Sequence, residues 1–206
     1  MLRVDHVVLA VGDLDAAAER LLRDHGLASV PGGRHERWGT ANRIVPLGGT
    51  YLELITVVDQ DLARGSAFGA SVARAATDGD RWVTWAVRDD RLDATAKRLG
   101  LTVESGERIR PNGTVLRWRN AGIDDPTRMP ELPFFIAWDV AETDLPGRTP
   151  IVHPSGPAGI ARLELTGEAA SLDAWTDGAD LPVRFAPGPS ALRAVVVRTA
   201  GGDRLV

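Results

Sequence analysis

Residues 6–22, HVVLAVGDLDAAAERLL, return in altered form as WVTWAVRDDRLDATAKRL at 82–99. Each copy runs from an aliphatic strand through an aspartate-bearing turn into a helix. Leu14-Asp15-Ala16 matches Leu92-Asp93-Ala94 at an offset of 78, and Ala10-Val11 matches Ala86-Val87 at an offset of 76. Both offsets are even, so corresponding strand residues keep corresponding faces under either alignment. Building one strand-helix unit twice predicts two equivalent modules that bury their apolar faces together, the halves of one cup.

The first module covers residues 1–59. After the strand LRVDHVVLAV, Gly12-Asp13 supplies a turn and an N-cap, and Leu14, Ala17, Ala18, Leu21, Leu22 and His25 recur on one helical face up to Gly26. ASVPGGRHERWGTANRIVPL then reads as strands with a glycine-rich interruption, and Gly48-Gly49 turns into TYLELITVV, completing β-α-β-β-β. Residues 60–79 read as a mostly helical connector with Leu62, Phe68 and Val72 as its apolar contacts. The second module, 80–140, has Asp90 as the expected helix cap and Leu92, Ala96 and Leu99 on one face. A hairpin is expected at Pro111-Asn112-Gly113, and PFFIAWDV is the closing strand. A Pro/Gly-rich linker fills 141–159. Residues 160–206 read as strand, helix, strand, strand, either a degenerate third module or an edge covering the first two. The fold class is α+β.

The formal net charge of −4, with no lysine- or arginine-rich run, argues against nucleic acid and anionic lipid as partners. With no cysteine, catalysis and metal binding must use oxygen and nitrogen groups. No apolar run approaches the ~20 residues that span a bilayer, and the opening residues lack the order of a signal peptide. The expected location is cytoplasmic. There is no phosphate-cradling glycine loop, G-x-S-x-G elbow or H-E-x-x-H.

DHVVLAVGDLDAAAE, GGRHERWGTAN, YLELITVVD, RPNGTVLRW, LPFFIAWD and HPSG together resemble the glyoxalase-like domain proteins of bacteria, in the vicinal oxygen chelate superfamily. The resemblance covers nearly the whole chain. It implies paired βαβββ modules whose mixed sheet is cupped around a central cavity, joined within one chain or between two copies of a homodimer. It also implies a divalent metal (Zn, Ni, Mn or Fe) that chelates vicinal oxygens of a small substrate, with ligands on the first and last strand of each module. In the first module those positions hold His6 and Glu53, which suit such a metal. In the second they hold Trp82 or Thr84 and about Ile136, which do not, so the two-sided metal site departs from the family pattern.

His6 shares a strand face with Val4, Val8 and Ala10, and Glu53 with Tyr51, Ile55 and Val57. A carboxylate there needs a cation, a metal or several donors, and a buried His6–Glu53 hydrogen bond is the plainer alternative. His35, in the glycine-bracketed loop, is read as a third metal ligand or a general base beside Glu53, with Trp38 and Asn42 offering a stacking face and a two-way hydrogen bonder. The loop also admits a plain reading, with His35 in solvent. His153 lies in a proline-restricted loop that could reach the cavity mouth. In TVLRWR, Arg117 and Trp118 fall on opposite faces, so the strand offers either an arginine clamp for an anion or an aromatic wall. Trp82, Trp85 and Trp138 read as packing between modules, and His25, at a helix end, is assigned no function.

The functional expectation is a metal-assisted lyase or isomerase acting on a small oxygenated molecule. A metal-free protein that sequesters a small ligand is the alternative. An extradiol-type dioxygenase is a third reading, and it needs His35 or His153 as second imidazole.

Overall fold

The structure is a computed structural model that describes residues 1–109, 113 and 115–206. The first module contains β1 (Arg3–Ala10), α1 (Leu14–His25), β2 (Val30–His35), β3 (Thr40–Pro46) and β4 (Tyr51–Val57). Two short helices follow, α2 (Gln60–Arg64) and α3 (Ala67–Ala75). The second module repeats the order with β5 (Arg81–Arg88), α4 (Leu92–Leu99), β6 (Val103–Ile109), β7 (Val115–Ala121) and β8 (Phe134–Trp138). The turn expected at Pro111-Asn112-Gly113 falls, save for Gly113, outside the described residues.

The modules share one eight-stranded sheet of order β2-β3-β4-β1-β5-β8-β7-β6. β1 and β5 pair antiparallel at its centre, while β1 with β4 and β5 with β8 pair parallel. The sheet curls so far that its two edge strands meet: Arg37, just past β2, pairs with Glu104 on β6, and Arg108 on β6 reaches Asn42 behind β2. This is the cup that the repeat implied, and the mixed α+β class is as expected.

Alternation along the strands gives the cup its two faces. Val7, Leu9, Leu52, Leu54, Trp85, Val87 and Phe135 point outward into a layer covered by α1, α4 and the C-terminal elements. Val8, Ala10, Ile55, Ala86, Phe134 and Ile136 point inward, with Phe68 and Val72 of α3 plugging one end. Leu62, expected as a connector contact, is exposed, and Ala63 is buried in its stead. The caps follow a similar pattern. Asp13 accepts from the amides of Asp15 and Ala16 as expected, whereas α4 is preceded by Asp89, not Asp90, accepting from the Arg91 amide.

Residues 160–206 form β9 (Ile160–Thr166), α5 (Ala169–Thr176), β10 (Val183–Ala186), β11 (Ala191–Thr199) and β12 (Gly202–Leu205). The element order is that of a module, but the sheet order, β10-β9-β11-β12, is not: the first strand here pairs with the second in parallel, not with the last. This sheet caps the outer layer through Leu163, Leu165, Val195 and Val197.

A bulge in β1 departs from simple alternation. Val4 pairs with Val87 and His6 with Ala86, so Asp5 is the extra residue. Val4 is therefore turned into the outer layer, away from His6, whose inward face-mates are Val8 and Ala10. The bulge also brings Asp5 and His6, neighbours in sequence, to the same place.

Candidate active site

The concave face holds a small cavity with an open mouth. His6, Tyr51, Glu53, Asn42 and His35 form one wall, and Trp118, Asn120, Phe134, Ile136 and Trp138 from the second module face them. Trp38, Phe68 and Arg108 close the sides.

Glu53 is the polar centre of this cavity. The residue is 7 % exposed, and Asn42 Nδ2 donates to its Oε1 at 2.5 Å. His6 Nε2 lies 3.5 Å from Oε2 and His35 Nε2 lies 4.0 Å from Oε1. The pairing of β1 with β4 sets Val8 against Glu53 and His6 against Tyr51, so Tyr51 stacks on the His6 ring with centroids 4.5 Å apart. Burial pushes the Tyr51 hydroxyl well above its ordinary range, helped by the charges of Asp5 and Glu53, so it stays a neutral phenol.

His6 is oriented from behind. Its Nδ1 lies 2.7 Å from Asp5 Oδ1, while Asp5 Oδ2 accepts from Arg88 Nη2 at 2.6 Å and Trp138 Nε1 at 3.1 Å. Burial alone would raise the Asp5 pKa, but the hydrogen bond and charge of His6, with those of Arg88, outweigh it and hold the carboxyl below its usual range. Ionised Asp5 accepts the Nδ1 proton and aims Nε2 at Glu53, the arrangement by which carboxylates fix an imidazole tautomer.

The GGRH stretch is explained by Asn42. A Cβ on Gly32 would stand 1.8 Å from Asn42 Oδ1, and one on Gly33 would stand 3.3 Å from Arg108 Cδ. The Gly33 amide donates to Asn42 Oδ1 at 2.8 Å, and Arg108 Nη1 donates to the same oxygen at 3.3 Å. These two donors fix which end of the amide is oxygen, so both Nδ2 protons face Glu53 Oε1 and, at 3.5 Å, His35 Nε2. His35 Nε2 is then the acceptor, and Nδ1 carries the proton towards Thr40 Oγ1 at 3.1 Å. Burial lowers the His35 pKa, and the charges of Arg108 and His6 add to this against the opposing pull of Glu53, so the ring is neutral.

The same geometry tests the implied metal. Asn42 Nδ2 stands between Glu53 Oε1 and His35 Nε2 and puts protons where a cation would have to sit. That leaves His6 Nε2 and Glu53 Oε2, fewer than the three protein ligands of an ordinary resident site. The second module supplies no replacement. Val8 pairs with Thr84 and His6 with Ala86, so the axis relating the modules carries His6 onto Thr84. Val8 pairs with Glu53 and Ala86 with Phe134, so it carries Glu53 onto Phe134, not Ile136. Among the described residues no three His, Cys, Asp or Glu side chains could hold a metal ion, and the expectation that His6, His35 and Glu53 do so together is not met.

Of the other expected site residues, Trp38 lines the cavity and donates from Nε1 to Asp124 at 2.7 Å, and Trp118 supplies the aromatic wall against Trp138. Arg117 is on the outer face, exposed and paired with Glu107, so the arginine clamp is not on this strand. His153 does not reach the cavity mouth. Its Nδ1 accepts from the Ala28 amide at 3.0 Å behind the outer layer, and burial lowers its pKa. Trp82 packs on the outer layer and blocks nothing, whereas Trp138, read as packing, lines the cavity.

Sequence reasoning misses Asp5, Arg108 and Asn120. Extending the TVLRWR alternation by one residue puts Asn120 beside Trp118, so that signal is present in the sequence. For Asp5 there is none, because neighbours on a regular strand face opposite ways.

The sequence model of the family described as "Glyoxalase-like domain" matches residues 4–179. The chain belongs to this family, and with it to the vicinal oxygen chelate superfamily. A hypothetical protein from Staphylococcus aureus has a similar structure, with TM-score 0.78 at 15% identity, over 97% of this chain and 92% of that one. Methylmalonyl-CoA epimerase from Mycobacterium tuberculosis follows at TM-score 0.46 and 19% identity, over 68% and 88%. A variant of the Streptomyces coelicolor methylmalonyl-CoA epimerase, in complex with 2-nitronate-propionyl-CoA, gives 0.45 and 21%, over 66% and 95%. No curated protein matches. No helix of the glyoxalase-like chain, among its described residues, is long and apolar enough to cross a membrane.

Proposed function

We propose that this glyoxalase-like protein is an isomerase- or lyase-type enzyme that moves a proton on the carbon next to a carbonyl of a small oxygenated molecule. The observation that carries the reading is Glu53: a carboxylate buried in a cavity wall, with one oxygen held by Asn42 and the other turned towards His6 Nε2. Such a group is costly to bury and suits a general base, since a proton it accepts is handed back from a fixed position. Glu53 Oε2 removes the proton from the carbon next to the carbonyl, leaving an enolate, and returns it on the same face, with neutral His35 beside it. Glu53 and His35 share a wall, which favours transfer on one face of the substrate over inversion between two. His6, tied to Asp5, holds Nε2 3.5 Å from Oε2. None of these steps needs the metal that the family pattern implies.

Sequestration of an unaltered ligand is the second reading. It is favoured by the aromatic lining of Trp38, Trp118 and Trp138, which grips a flat molecule without chemistry. Incubating the protein in D2O with small 2-hydroxy and 2-oxo carbonyl compounds, with proton NMR as readout, separates the two. Exchange of the hydrogen next to the carbonyl is expected, slowed by at least about a hundredfold in Glu53→Gln, the range of a lost general base. Tight binding without exchange in the wild type supports sequestration and overturns the enzyme reading.

A further inference from the structure

Two polar groups in the cavity take no part in the proton transfer above. Arg108 extends from β6 into the cavity, and among the described residues its hydrogen-bond acceptor is Asn42 Oδ1 alone, with no carboxylate paired to it. A guanidinium has five N–H donors, so most of its fork is left for a guest. The second is Asn120. It shares the inward face of β7 with Trp118, is 3 % exposed, and its Oδ1 has no hydrogen-bond partner among the described residues. A buried acceptor without a donor costs free energy until a ligand supplies one. Asn120 and Trp118 belong to the second module and Glu53 to the first, so a molecule touching all three spans the cup.

We infer that the cavity takes an aromatic carboxylic acid bearing an O–H on the carbon next to the carboxylate, a 2-hydroxy acid or the enol of a 2-oxo acid. Arg108 receives the carboxylate, in the two-pronged geometry that arginine offers to planar anions. Asn120 Oδ1 accepts the adjacent O–H, and Trp38, Trp118, Phe134 and Trp138 cover the ring. An enol satisfies Asn120 while its keto tautomer does not, so the site binds the enol form more tightly, which lowers the barrier to reaching it. The inference rests on the proton-transfer reading only in placing the reactive carbon near Glu53. The ligand class follows from Arg108 and Asn120.

Calorimetric titration of the full chain with mandelate, mandelamide and phenylacetate tests it, with phenylpyruvate as the second acid. Mandelate is expected to bind at least tenfold tighter than the amide, which lacks the charge, and tighter than phenylacetate, which lacks the hydroxyl. Arg108→Gln should abolish the acid-over-amide preference and leave the hydroxyl preference, Asn120→Ala should do the reverse, and Arg108→Lys should keep part of the acid preference. Enol absorbance that grows on binding phenylpyruvate assigns the site to the enol; binding of mandelate alone assigns it to 2-hydroxy acids. Amide binding equal to acid, an acid preference surviving in a folded Arg108→Gln, or no binding of either acid at millimolar concentration overturns the inference. The two proposals fail separately. Binding without deuterium exchange removes the proton transfer and leaves the ligand class. Exchange on uncharged carbonyl compounds at a rate unchanged in Arg108→Gln removes the ligand class and leaves the proton transfer.

Discussion

Asp5 shows how one buried residue joins stability to the site. Its carboxylate is fully buried and shared by His6, Arg88 and Trp138. Asp5→Asn removes the buried counter-charge of the Arg88 guanidinium and leaves it only the exposed Glu142 at 3.9 Å, a loss of about 3 kcal/mol for a broken buried pair, readable by urea unfolding at pH 7. The pH dependence has a fixed sign. The native carboxyl titrates below its ordinary 3.8, so the stabilisation is complete above that value and is lost as pH falls through the native pKa. The gap between wild type and Asp5→Asn should therefore close in acid. His35 gives the second prediction at this scale. Its pKa is depressed from 6.5 by burial, with Arg108 and His6 pushing the same way and Glu53 opposing, so its ring protons in NMR should titrate below 6.5. Arg108→Gln should raise that midpoint and Glu53→Gln lower it further. A midpoint at or above 6.5 in the wild type contradicts the neutral acceptor proposed for the site.

At the scale of elements, the β2–β3 hairpin shows what the sequence can and cannot disclose. GGRHERWGTAN announces a close approach of backbone to something, and the spacing of Tyr51, Glu53 and Ile55 correctly puts the carboxylate inward. The partner of the glycines is not legible, because Asn42 and Arg108 lie nine and many more residues away and meet them only once the sheet has curled. Arg117 is the wrong arginine for a related reason. Alternation splits Arg117 from Trp118, but which face looks inward depends on the curl, and Arg108 reaches the cavity from the neighbouring strand. The Asp5 bulge is a further limit, since a periodicity of two has no symbol for an inserted residue. The hairpin carries a test of its own. Gly32→Ala forces a methyl into the place of the Asn42 amide, 1.8 Å from Oδ1 and 2.7 Å from the Asn42 carbonyl oxygen, and should cost about 2 kcal/mol as overpacking. It should also lower activity by moving Asn42 off Glu53. Gly12→Ala, whose nearest neighbour would stand at 3.9 Å, is the matched control and should stay within about 0.5 kcal/mol of wild type.

At the scale of the molecule, duplication made a symmetric cup, and the chemistry occupies one half of it. His6 and Glu53 face the cavity from the first module, while their counterparts Thr84 and Phe134 carry no comparable charge. The second module instead supplies shape, an aromatic wall, the Arg108 guanidinium and, among the described residues, the unpaired amide oxygen of Asn120. Both faces of such a sheet are apolar, so the cup cannot stand alone: its outer face buries Val7, Leu9, Trp85 and Phe135 under helices and the C-terminal sheet. That sheet contributes Leu163, Leu165, Val195 and Val197 to the same continuous layer, each almost inaccessible to solvent. A chain ending at residue 159 therefore exposes a contiguous apolar surface on the side of the sheet opposite the cavity. It should aggregate or bind a hydrophobic dye, with weakened near-ultraviolet circular dichroism from Trp85, even though every cavity residue is still present. A truncated chain that stays monomeric, keeps that signal and unfolds at the wild-type midpoint would show that the C-terminal sheet is an independent appendage and that the two modules hold their curvature unaided.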